Sequence, residues 1–73
     1  MSLGTKIREL REPRGWKLRH LAAAMESTEP YISLLESGKI SNPGMDMILR
    51  IATALEVTPN DLMLDVDAKA VNE

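Results

Sequence analysis

The apolar residues recur with the period of an α-helix rather than with that of a β-strand. Leu3, Ile7 and Leu10 are spaced by four and then three positions, so they share one helix face. This spacing predicts a helix over about Leu3–Glu12. The strongest pattern of the same kind predicts another helix over about Met45–Glu56.

Turn-forming residues divide the chain into five short segments, with breaks at residues 13–15, 26–28, 38–44 and 57–59. The three remaining segments predict helices over about Lys17–Met25, from the cap residue Thr28 to Gly38, and from Thr58 through Met63. The chain has no Phe, and its β-branched residues are scattered, so β-strands have little support. The sequence therefore predicts an all-α domain of five short helices.

The third segment carries clear signals for a helix start and a helix end. Thr28 is a good N-cap, Glu29 places a negative charge in the first turn, and Pro30 is tolerated there. Gly38 suits the C-terminal end. Only about three residues separate the second and third helices, which allows a steep crossing angle and predicts a helix-turn-helix unit.

The chain has 73 residues, which is enough for one small domain. We place this domain at residues 1–64 and expect residues 65–73 to be a C-terminal tail that is frayed or contributes to a dimer contact. There are no cysteines, so a disulfide framework and a thiolate metal site are excluded. No apolar run approaches the roughly 18 residues that a membrane span needs, so we expect no membrane segment.

The charge is unevenly distributed along the chain. The net charge is −2, which by itself argues against a nucleic-acid partner. Residues 1–20, however, contain six Lys and Arg against two Glu, a net charge of +4, whereas residues 21–73 contain three against nine acids, a net charge of −6. This gradient predicts a polarised surface with a basic N-terminal part.

With these helices in register, the sequence resembles the Cro/CI-type (XRE-like) helix-turn-helix family of phage and bacterial transcriptional regulators. The resemblance covers about Gly4–Met63 and rests on the stretches "IRELREPRGW", "LAAAMESTEPYISLLESGK" and "NPGMDMILRIATALEVTPNDL". It implies a lambda-repressor-like domain that is cytoplasmic and binds double-stranded DNA, usually as a homodimer. A recognition helix at about residues 28–37 would lie in the major groove, where its first residues reach the base edges.

The resemblance also implies roles for individual residues. The positions that match base contacts are Thr28, Glu29, Pro30, Ser33 and Leu34. The candidate phosphate contacts are Lys17, Arg19, Tyr31, Ser37, Lys39 and Asn42. Arg11 and Glu36 are expected to form an internal ion pair that holds the first helix against the third.

Three positions depart from the family pattern. Leu18 stands where the family usually has a glutamine that hydrogen-bonds to DNA, and Glu26 stands where it has the turn glycine. Glu29 places a carboxylate at a leading base-contact position. These departures keep an alternative open: a protein-interaction or antitoxin-like module on the same fold, which would meet its partner through Leu18, Tyr31 and Leu34.

The sequence contains no catalytic motif and no metal-binding motif, so we expect neither an enzyme nor a bound cofactor. His20 is the only histidine, and Asp65 and Asp67 lack the further ligands of a calcium loop. Trp16 is expected in the core at the junction of the first two helices. We expect Lys6, Arg8 and Arg14 to form a solvated helix face rather than DNA contacts.

Overall fold

The structure, a computed structural model, describes residues 2–63, which form five α-helices, one 3-10 turn and no β-strand. The prediction of an all-α domain with five short helices is confirmed. The helices are α1 (Leu3–Arg11), α2 (Leu18–Ala24), α3 (Glu29–Ser37), α4 (Met45–Ala54) and α5 (Pro59–Met63). The expectation about residues 65–73 lies outside the described residues.

Proline and glycine end α1 in the way that the sequence predicts. The α-helix stops at Arg11, and the residues that include Pro13 continue as the 3-10 turn Glu12–Arg14. This turn ends at Gly15, whose φ of 74° lies in the left-handed region that glycine adopts without steric cost. The break redirects the chain toward α2.

The core lies between all five helices, and α3 contacts both α1 and α2, while α5 packs against α1 and α4. Twelve apolar side chains are buried: Leu3, Ile7, Leu21, Ala22, Met25, Ile32, Leu35, Ile48, Ile51, Ala52, Leu55 and Leu62. Leu10 and Trp16, which were expected in the core, are only partly buried at its margin, and so is Met47 on α4. The buried residues thus lie on the predicted helix faces, but the buried part of α1 and of α4 is narrower.

Gly4 allows α1 and α3 to approach closely. A Cβ atom built at Gly4 would overlap the backbone carbonyl oxygens of Leu35 and Glu36 on α3. Backbone atoms cannot move aside as a flexible side chain can, so any larger residue would push the two helices apart. The close packing of α3 against α1 therefore requires a residue without a side chain at position 4.

The link from α4 to α5 combines a left-handed residue with a reciprocal cap. Glu56 has φ of 60°, and the backbone N–H of Val57 donates to the carbonyl of Ala52 at 2.9 Å. The backbone N–H of Asp61 then donates to the Thr58 hydroxyl at 2.9 Å, while the Asp61 carboxylate accepts from the N–H of Thr58 at 3.4 Å. This capping box starts α5.

Across residues 2–63, the helices are too short or too polar to cross a membrane.

Candidate nucleic-acid interface

One face of α3 is free of contacts with the core. Ile32, Leu35 and Glu36 point inward and are buried. The opposite side of the helix and its N-cap present five exposed residues, which we call the α3 face: Thr28, Glu29, Pro30, Ser33 and Leu34. These are the five residues to which the family resemblance assigned base contact, and the fold brings them together on one surface.

The start of α3 is fixed by its cap. Thr28 has an extended backbone, and its hydroxyl oxygen accepts a hydrogen bond from the N–H of Tyr31 at 3.3 Å. Pro30 lies within the first two positions of the helix, where the missing N–H would have no helical partner. The hydroxyl hydrogen of Thr28 remains available for an outside acceptor, because only its oxygen is engaged by the cap.

The turn between α2 and α3 is a tight one built on a left-handed residue. The N–H of Ser27 donates to the carbonyl of Ala22 at 2.8 Å, and Glu26 between them has φ of 56°. Glu26 therefore adopts the left-handed backbone that glycine takes without steric cost. The Arg50 side chain on α4 donates to the carbonyl of Met25 at 3.3 Å, so that α4 also supports this turn.

A buried ion pair joins α1 to α3 on the side away from the α3 face. The Arg11 Nε donates to Glu36 Oε2 at 2.6 Å, and its Nη2 donates to Oε1 at 3.0 Å. Arg8 adds a third contact to the same carboxylate at 3.3 Å. The hydrogen bonds with Glu36 raise the pKa of the Arg11 guanidinium above its ordinary value. The remaining Arg11 nitrogen donates to the Trp16 carbonyl at 2.6 Å, which ties the approach to α2 to the same network.

Cations flank the α3 face at the beginning of α2 and after α3. Lys17 and Arg19 are exposed, and the backbone N–H of Lys17 donates to His20 Nδ1 at 2.8 Å, which fixes the first turn of α2. Lys39 is exposed directly after Gly38, whose φ of 89° ends α3. Lys17 and Arg19 thus lie at the start of the helix that precedes α3, and Lys39 follows α3 directly.

The three remaining candidate phosphate contacts have different surroundings. Asn42 is exposed in the loop before α4. The Ser37 hydroxyl donates to the Leu34 carbonyl at 3.1 Å and accepts from the N–H of Lys39 at 3.4 Å, so it is engaged at the end of its own helix. Tyr31 is half-buried against the core.

The three residues of the alternative apolar surface, Leu18, Tyr31 and Leu34, differ in exposure. Leu18 and Tyr31 are partly buried and pack against the core, because each lies at the edge of the inward face of its helix. Leu34 is the only one of the three that is exposed, at 39%. The packing of Leu18 and Tyr31 could not be predicted, because the helical pattern within one helix does not reveal which neighbouring helix covers a side chain.

Arg14 and Arg8 are exposed, as expected, but each also makes contacts within the domain. Arg14 donates to the Leu55 carbonyl at 2.6 Å, at the C-terminal end of α4, and its guanidinium lies 5.2 Å from the centre of the Trp16 ring. Arg8 contacts Glu36, as described above. Both partners are far along the chain, so no local signal in the sequence could have revealed them.

Comparison with known proteins decides what kind of domain this is. A family model described as helix-turn-helix matches residues 7–62, which is more than half of the chain. The chain belongs to the XRE-type helix-turn-helix family. The resemblance inferred from the sequence is thereby confirmed.

One named regulator is similar to the chain over most of its length. It is 36% identical over 67 residues to the HTH-type transcriptional regulator DdrOP3 of Deinococcus deserti, covering 92% of this chain and 51% of that protein. The chain thus spans about half the length of this curated relative.

Two solved structures share the fold. The restriction-modification controller protein C.AhdI of Aeromonas hydrophila superimposes with a TM-score of 0.77 at 33% identity, over 82% of this chain and 89% of that one. The clp gene regulator ClgR of C. glutamicum gives a TM-score of 0.78 at 28% identity, over 88% of this chain and 82% of that one.

Within the described residues, no three His, Cys, Asp or Glu side chains are grouped as a metal site would require.

Proposed function

We propose that this protein is a sequence-specific DNA-binding transcriptional regulator, acting as a repressor, that inserts α3 into the major groove. The observation that carries the proposal is the α3 face: five exposed residues, none of them used by the core, on the second helix of a helix-turn-helix unit. A major groove accepts one α-helix, and the first residues of that helix reach the base edges. The family and the names of the similar proteins support this role and give no support to an enzymatic one.

The charges around α3 support contact with the DNA backbone. Lys17, Arg19 and Lys39 flank the α3 face, so each subunit offers three cations to the phosphates. Backbone contacts fix the register of a protein on the duplex, whereas contacts to base edges select the sequence. We therefore assign these three residues, with Asn42, Ser37 and Tyr31 beside them, to phosphate positioning, and the α3 face to base contact.

The regulator acts as a homodimer in the cytoplasm under this proposal. Met45 and Leu49 on α4 are 67% and 47% exposed and lie four positions apart, so they form an apolar strip on the outside of the domain. Such a strip suits contact with a second copy. A two-fold dimer would bind two half-sites about one helical turn of DNA apart, and these would form an inverted repeat.

The direct test is selection from random duplex DNA at low salt, followed by binding measurements on the selected site. We expect an inverted repeat to be enriched and Lys39→Ala to weaken binding to selected and unselected duplexes by the same factor. Glu9→Gln, an exposed change on α1, serves as the control that leaves both affinities in place. If no motif is enriched and no binding occurs at low salt, the proposal is wrong.

A protein-interaction or antitoxin-like module remains the second candidate, favoured by the exposure of Leu34 on the α3 face. Such a module would retain its partner through Leu34, and Leu34→Asp would abolish the complex while the helical circular dichroism spectrum is unchanged. Tight binding to a selected duplex, with no protein partner recovered, would dismiss this candidate.

A further inference from the structure

The chemistry of the α3 face restricts which bases it can read. The helix Glu29–Ser37 contains no Arg, Lys, Asn or Gln, so it cannot make the two-pronged contacts by which proteins recognise guanine and adenine. The only charged group on the α3 face is the Glu29 carboxylate, which accepts hydrogen bonds and donates none. The face therefore differs from that of a regulator that reads purines.

Glu29 is free to meet a base. It is exposed at the first position of α3, and no hydrogen bond or ion pair engages its side chain within residues 2–63. Glu36, the other acid on this helix, is buried and paired with Arg11, so it takes no part in the face. In the major groove, the exocyclic amino group of cytosine is the donor that a carboxylate accepts from.

Two rows of side chains run along the face. Glu29 and Ser33 lie four positions apart in a polar row, and Pro30 and Leu34 lie four positions apart in an apolar row beside it. Apolar side chains in the major groove contact the methyl group of thymine. Glu29 and Leu34 are separated by about 7.5 Å along the helix axis, which is on the order of two base-pair steps.

We propose that α3 reads pyrimidines: each half-site contains a cytosine whose amino group donates to Glu29 and a nearby thymine whose methyl group contacts Leu34. This inference rests on the proposed function, since it requires DNA to be the partner. It also gives the negative charge at Glu29 a role, because the carboxylate repels a duplex that offers it no donor. Glu29 and Leu34 would thus be the residues that determine specificity.

The test compares motifs selected from random duplex DNA by the wild-type protein and by Glu29→Gln. The wild type should select an invariant C·G pair in each half-site, preferred about tenfold over the other pairs. Glu29→Gln should lose that preference at this pair alone and gain one for A·T, because an amide both donates and accepts. Glu26→Gln removes the same charge from the neighbouring turn, off the α3 face, and should keep the cytosine.

The thymine contact is tested by removing only the methyl group. Replacing the selected thymine by deoxyuridine should weaken wild-type binding about fourfold, which is the loss expected when one buried methyl group is removed from the interface. The same replacement should leave the affinity of Leu34→Ala unchanged, because the partner of the methyl group is already absent. Unfolding curves should show that these variants at exposed positions remain folded.

The outcomes separate this inference from the function on which it rests. A selected motif whose cytosine is retained by Glu29→Gln, or whose thymine methyl has no effect, overturns the pyrimidine assignment and leaves DNA binding intact. Failure of the wild type to bind or to select any motif overturns both.

Discussion

Glu26 has a left-handed backbone conformation, which is less stable for a residue with a side chain than for glycine. Its φ of 56° lies in the left-handed region, which disfavours a Cβ by roughly 1–2 kcal/mol. Part of this is offset by the extra freedom that glycine loses on folding, about 0.4–1 kcal/mol. Glu26→Gly should therefore stabilise the domain by about 0.7 kcal/mol and raise its Tm by about 4 °C.

Glu56 provides a second position at which to make the same measurement. Its φ is 60°, and its contact with Arg14 at 3.4 Å is solvent-exposed and contributes little. Glu56→Gly should thus raise the Tm by a similar amount, whereas Glu26→Gln, which keeps the Cβ, should not. A fall in Tm for both glycine variants would contradict this explanation.

The Arg11–Glu36 pair should be the most sensitive single contact in the domain. Arg11→Met leaves the buried Glu36 carboxylate with only the half-exposed Arg8 as partner, and we expect a loss of about 3 kcal/mol in the free energy of unfolding. Adding Glu36→Leu removes the stranded charge and should recover a large part of that loss. Urea denaturation measures both; equal instability of the single and double variants would contradict the argument.

Among the elements, α4 depends on a residue outside it. Arg14 donates to the Leu55 carbonyl at the end of α4, where a positive charge also complements the helix dipole. We expect Arg14→Ala to lower the free energy of unfolding by about 1.5 kcal/mol, combining a charge-assisted hydrogen bond with the contact to Trp16.

Arg19→Ala is the matched control, because Arg19 is exposed on α2 and has no hydrogen bond or ion pair within the described residues. It should leave thermal unfolding unchanged and weaken DNA binding, the reverse of what Arg14→Ala does. The two arginines are five positions apart in a basic stretch, so this pair of variants separates structural from binding charge. If Arg14→Ala and Arg19→Ala both lowered the stability of the domain, the distinction between a structural and a DNA-binding arginine would be wrong.

Local signals were sufficient to predict the elements, and long-range contacts were not. Thr28 with Pro30, and Thr58 with Pro59, locate the starts of α3 and α5 because caps act within a few residues. The positions of Arg14 and Arg50 could not be predicted, because each donates to a carbonyl that lies 41 or 25 residues away. The residues of the α3 face were assigned by the family resemblance, and their exposure follows because they lie on the side of the helix opposite the buried Ile32 and Leu35.

For the molecule as a whole, the net charge of −2 combines a charge of +4 over residues 1–20 with −6 over residues 21–73, and the three proposed phosphate-contacting cations Lys17, Arg19 and Lys39 are exposed. Three cations per subunit should release counterions from DNA, so binding by a monomer should fall about 40-fold between 50 and 200 mM salt, and binding by a dimer about 10³-fold. Fluorescence anisotropy with a labelled duplex gives the slope, and Lys39→Ala should reduce it. A flat salt dependence would exclude the phosphate contacts assigned here.

The α3 face, and not the outer side of α1, should contact DNA. The chain has no cysteine, so Ser37→Cys and Glu9→Cys each create a unique attachment point for an iron–EDTA reagent that cleaves nearby DNA. On the selected duplex, the probe at residue 37, at the end of α3, should cut at the motif, and the probe at residue 9, exposed on α1, should not. Cleavage from residue 9, or none from residue 37 in a bound complex, would contradict the proposed binding mode.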